Sequence, residues 1–114
     1  MTPIEYFTAG KKKDPALCED IIVMAENFMA VIDGATSKSC PAVGEMSGGR
    51  FAAQTVAAAI AVLPADIAPA AAIAQLSGAL HRAVSAHMDA AAVVEKPSCC
   101  LAVYSRARRE VWRV

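Results

Sequence analysis

Two short apolar runs, "DIIVMA" (20–25) and "FMAVID" (28–33), are separated only by Glu26 and Asn27. Neither run alternates apolar and polar positions, which predicts two strands covered on both faces. Glu26-Asn27 predicts a two-residue hairpin turn, because asparagine tolerates the left-handed backbone that such turns require. Upstream, "PIEYFTAG" (3–10) is rich in β-formers and predicts a short strand. Residues 11–19 follow as a loop, with Asp14-Pro15 as its turn signal. Downstream, residues 34–48 are rich in glycine and serine and predict another loop. A helix is expected from Gly49 to Leu63, with Ser47 as its N-cap and Pro64 as its stop. A second helix is expected from Pro69 to about Val93, weakened at Gly78 by about 1 kcal/mol relative to alanine. Lys96-Pro97 breaks the chain. "SCCLAVYS" and "EVWRV" then predict two strands joined by "RARR", read as a solvated hairpin tip.

The predicted order is three strands, two Ala-rich helices and two strands. That is an α+β layout with a mainly antiparallel sheet and a helical layer. The last strand runs to the final residue with no closing element, so the expectation is one incomplete domain whose sheet continues in further sequence. The 114 residues are 56% hydrophobic and 19% charged, which excludes a disordered chain. Lysine plus arginine equals aspartate plus glutamate, 11 each. No charge excess therefore draws nucleic acid or an anionic membrane as a partner. Residues 51–65 are interrupted by Gln54 and Thr55 and end at proline, short of the roughly 20 strongly apolar residues of a membrane span. The four cysteines form no CxxC pair and have no histidine at ligand spacing. With no secretory leader, reduced thiols and a cytoplasmic location are expected. Cys99 and Cys100 are expected to point to opposite faces of one strand, and Trp112 to lie in the core. His81 and His87 do not share a helix face at metal spacing.

The hairpin carries the candidate chemistry. With a two-residue turn, Ala25 faces Phe28 and, counting outward, Asp20 faces Asp33. Like charges directly opposite each other destabilise a strand pair, and their Cβ atoms are only about 4.5–5.5 Å apart. Such a pair needs a proton or a cation. Hard divalent cations take oxygen ligands, and Mg2+ is typically held by one or two carboxylates with several retained waters. The Gly34 carbonyl offers a further oxygen, and a glycine there lets the backbone come close to an ion or phosphate. The bland alternative is that the two aspartates mark strand ends. A phosphate-cradling P-loop is excluded, since the positions requiring glycine hold Ile32 and Ser37. A nucleophilic aspartate two residues before Asp33 is also missing, because Val31 stands there.

"CED", a short hairpin, "AVIDGATS", a glycine-containing loop and "GRFAAQTVAAAI" resemble the start of metal-dependent protein phosphatases of the PPM (2C) type. "PSCCLAVYSRARREVWRV" is similar to that family's hairpin leading into a "GD" motif. The resemblance covers roughly residues 4–114. It implies a partial α/β/β/α sandwich and hydrolysis of phosphoserine or phosphothreonine in a phosphoprotein substrate, by a water bridging two Mn2+ or Mg2+ ions. It further implies that Asp33 bridges the metals, that the Gly34 carbonyl and Asp20 ligate, and that Glu19 acts through a metal-bound water. Lys13, Ser37 and Lys38 are the candidate phosphate contacts. The sequence departs from the family pattern at Ala35, where many members have glycine or a histidine acid, and at Pro15, where many have a phosphate-binding arginine. The family's remaining aspartates lie after the "GD" motif. Two alternatives stand beside this reading: a catalytically inert fragment or pseudophosphatase serving as an interaction module, and an unrelated structural interaction domain. A partial sandwich is also expected to self-associate through its exposed sheet edge.

Overall fold

A computed structural model describes residues 18–35, 42–43, 46–87 and 96–114. The elements are β1 (Asp20–Met24), β2 (Phe28–Ala35), α1 (Gly48–Ala61), α2 (Pro69–His87), β3 (Ser98–Ser105) and β4 (Glu110–Arg113). The four strands form one antiparallel sheet in the order β1-β2-β3-β4. The chain therefore has the α+β class expected, with an Ala-rich helix pair on one face of the sheet. The strand predicted over residues 3–10 and the end of the second helix beyond His87 lie outside the described residues. No helix among the described residues is long and apolar enough to cross a membrane.

Alternation along β2 sets the core. Phe28, Ala30 and Ile32 point to the helices and are buried, and Leu101 and Val103 of β3 and Trp112 of β4 lie on the same side. Phe28 and Trp112 meet with ring centroids 6.1 Å apart at a tilted angle. From above, α1 lays Ala53, Val56 and Ile60 onto this face, while Phe51 packs against His87 of α2, and Ala52 and Ala53 are completely buried. Alanine at the contact lets the helix axis approach the sheet closely, while Val56 and Ile60 fill the space one and two turns on. α2 is joined to α1 rather than to the sheet. Its buried residues Ala72, Leu76 and Val84 recur in steps of four, and Leu80 packs between them. That spacing forms a single stripe on one helix face.

The opposite face of the sheet departs from the sequence expectation. The apolar runs predict strands covered on both sides, yet Val31 is 59% exposed on the interior strand β2, and on the same side Met24 (42%) and Val111 (65%) are exposed on the edge strands β1 and β4. Among the described residues the helices cover only one side of the sheet, and the outer positions also happen to be apolar.

The Arg-rich tip is also more than solvated. The Arg108 side-chain Nε donates to the carbonyls of Asp66 and Ile67, at 3.2 and 3.0 Å, which ties the β3–β4 turn to the α1–α2 connection. The backbone N–H of Arg106 donates to the Asn27 carbonyl at 3.0 Å, joining the same turn to the β1–β2 turn. Arg109 takes a left-handed conformation, φ 53°, to close the hairpin. The hydroxyl of Ser105, fully buried, accepts from the Arg108 N–H at 3.3 Å.

Candidate functional site

The β1–β2 ladder pairs Asp20 with Asp33, Ile21 with Ile32, Ile22 with Val31, Val23 with Ala30 and Met24 with Met29. This is the register that a Glu26-Asn27 turn requires. The Ala25 N–H donates to the Phe28 carbonyl at 2.9 Å, so those residues form the hydrogen-bonded pair that closes the hairpin. Hydrogen-bonded and non-hydrogen-bonded pairs alternate along an antiparallel ladder, so Asp20 and Asp33 form a non-hydrogen-bonded pair. The Gly34 N–H to Glu19 carbonyl bond at 3.0 Å, flanking that pair, is the bond this assignment requires. In such pairs the Cα atoms are about 4.5 Å apart and the side chains are at their closest. Asp33 is exposed and Asp20 is half-buried, and both stand on the sheet face turned away from the helices.

Glu19 takes a different position. Its Oε2 accepts from the Ser47 hydroxyl at 3.0 Å. Ser47 is the N-cap of α1, extended at φ −63° and ψ 156°, and its Oγ accepts from the Arg50 N–H at 3.3 Å. A carboxylate beside a helix N-terminus is favoured by the unpaired N–H groups and the helix dipole. The Arg50 guanidinium donates to the Cys18 carbonyl at 2.5 Å. One cap thus clamps the chain on the N-terminal side of Asp20 to the start of α1.

Gly34 is fixed by packing. A Cβ at this position would strike the Gly49 carbonyl oxygen, and would lie 2.6 Å from the Gly49 carbonyl carbon and 2.7 Å from the Glu19 carbonyl oxygen. The expectation that a glycine here permits close approach is met, but the approaching group is the backbone of α1. Ser47, Gly49 and Arg50 are the residues of this corner that sequence reasoning did not assign to it. The "SGGR" run carries the signal: an N-cap serine followed by two glycines that leave no side chain where helix and strand meet.

Cys100 lies across the ladder from Asp33, on the same outer face, and is exposed. Cys99 points to the helices, and burial, with a smaller contribution from Cys100, pushes its thiol above the usual cysteine range. The opposed orientation expected of this pair holds. His81 and His87 are exposed on α2, and His87 sits edge-on to Phe51 with ring centroids 5.7 Å apart. Among the described residues, no three of histidine, cysteine, aspartate and glutamate are gathered to hold a metal. Lys13, Ser37 and Lys38 lie outside the described residues. The arrangement is therefore two facing carboxylates held by a capped helix, a donor set that suits a hard cation keeping most of its water.

No protein-family model, curated protein or solved structure matches this chain.

Proposed function

We propose that this chain is the N-terminal part of a PPM-type phosphatase-like domain, in which Asp20 and Asp33 bind Mn2+ or Mg2+ for hydrolysis of phosphoserine or phosphothreonine esters. The observation that carries the reading is the direct opposition of the two aspartates as a non-hydrogen-bonded pair on one face. Two anions held at that separation repel each other, and a divalent cation between them relieves the repulsion. When bound, divalent metals acidify a coordinated water and stabilise charge on phosphoryl oxygens. The chain's own residues hold the site. Asp33 would be the principal carboxylate ligand, Asp20 would add a second, and the Gly34 carbonyl would offer a third oxygen at the same end of β2. Glu19, tied to Ser47, fixes the β1 entrance and orients an outer water.

A second reading, an inert module acting through protein contacts, is favoured because no three histidine, cysteine, aspartate or glutamate side chains gather to hold a metal among the described residues. Hydrolysis separates the two. The purified chain with a chromogenic aryl phosphate and Mn2+ is expected to show chelator-sensitive turnover, reduced at least about a hundredfold in Asp33→Asn. An absence of turnover at every Mn2+ concentration, with the fold intact, would support the inert module.

A further inference from the structure

The first turn of α1 breaks a local rule. A helix N-terminus carries partial positive charge, so acidic residues are favoured in its first turn and cations are not. α1 has no acidic residue there, and Arg50 stands three positions after the Ser47 cap, where a capping box would place glutamate or glutamine. The carboxylate comes instead from Glu19, 28 residues earlier in the chain. In natural proteins such breaks of local preference concentrate at functional positions. We infer that Arg50 is a positioning residue for the Asp20–Asp33 pair: from the helix side of the sheet it fixes the start of β1, and with it the opposition of the two carboxylates.

Three bonds converge on the two residues ahead of Asp20. The Arg50 guanidinium donates to the Cys18 carbonyl, the Ser47 hydroxyl donates to the Glu19 carboxylate at 3.0 Å, and the Gly34 N–H donates to the Glu19 carbonyl at 3.0 Å. Two of these reach from the start of α1 and the third from β2. The buried Cys18 thiol in turn donates to the Asp20 carbonyl at 3.6 Å, so whatever holds Cys18 also holds the Asp20 peptide. The helix end is itself a firm support, because the Gly49 carbonyl lies against Gly34 with no room for a Cβ between them. Asp20 is the first residue of β1. Element ends open more readily than their centres, and a slip of one residue would turn Asp20 to the helix side of the sheet.

Charge and position act in opposite directions, which makes the role measurable. A guanidinium near a cation site repels the cation, so its removal would tighten binding through charge alone. Loss of positioning would weaken binding instead. The role presupposes a cation at the two aspartates, as proposed above, but not hydrolysis.

In a Mn2+ titration of the full chain followed by the free-ion electron paramagnetic resonance signal, Arg50→Gln should weaken binding about tenfold, the usual scale for a residue that orients ligands from behind. Arg113→Gln, which removes an exposed arginine of β4, should not weaken it. In metal-free protein, amide exchange followed by NMR should quicken about tenfold at Gly34 in Arg50→Gln and stay unchanged at Ala30, further along the same ladder. The native chain supplies a measurement that needs no variant. Coupling between two sites is reciprocal, so saturating Mn2+ should slow exchange at Gly34 and also at Phe51, whose N–H donates to the Ser47 carbonyl at 2.9 Å. Equal or tighter Mn2+ binding by Arg50→Gln, unchanged Gly34 exchange in that variant, or protection by Mn2+ that stops short of Phe51 would each overturn the positioning role and leave the two-aspartate site standing. No Mn2+ binding by the native chain would overturn both.

Discussion

Gly34→Ala is expected to lower the stability of the fold by about 3 kcal/mol, a large effect for one added methyl group. The new Cβ would be within 2.7 Å of the Glu19 carbonyl oxygen and 2.6 Å of the Gly49 carbonyl carbon. All the obstructing atoms are backbone, so no side chain can rotate away. Relief requires α1 to lift from β2, which opens the contacts of Ala53, Val56 and Ile60 on the sheet. For a chain of this length, thermal melts should shift down by roughly 12 °C. Gly78→Ala provides the opposite sign. There the Cβ meets only the tip of the flexible Arg82 side chain, at 3.3 Å. The helix should gain about 0.5–1 kcal/mol from the better propensity of alanine. If both substitutions destabilise equally, the close approach of α1 to Gly34 is not what fixes that corner.

Phe28→Ala should cost about 4 kcal/mol, measured from urea midpoints. Phe28 is 1% exposed, begins β2 beside the hairpin turn and faces the helices together with Trp112. Truncation removes its buried area and leaves a void that the rigid sheet cannot close. A Phe28–Trp112 double-mutant cycle should return about 1 kcal/mol of coupling, the usual range for a tilted aromatic pair. Because domains of this size are stable by only about 5–15 kcal/mol, either substitution removes a large share of the total. A loss below about 1 kcal/mol for Phe28→Ala would mean that the core is not centred on this face.

The hairpin was legible from local chemistry. Asn27 supplies the turn, the turn fixes the register, and the register places Asp20 across from Asp33. The helix start was legible for the same reason, since Ser47 caps through a bond to a residue three positions on. What the sequence hid was tertiary. Ile22, Val31 and Met29 are as apolar as the residues that face the helices, so the runs show no alternation even though, among the described residues, helices cover only one side. The anchoring of Arg108 depends on carbonyls about forty residues away that are set by the turn after α1. Glycine at position 34 announced a close approach, but only the packing of α1 shows that Gly49 is the neighbour. Glu19 read as a member of an acidic motif, and its bond to Ser47 becomes visible only when helix and strand are brought together.

A Mn2+ titration followed by the electron paramagnetic resonance signal of the free ion tests the facing carboxylates most directly. The account predicts that the native chain depletes the free signal, and that Asp33→Asn weakens binding at least about tenfold with an unchanged CD spectrum. A free-ion signal identical to that of protein-free buffer, or equal binding by the native chain and Asp33→Asn, would contradict it.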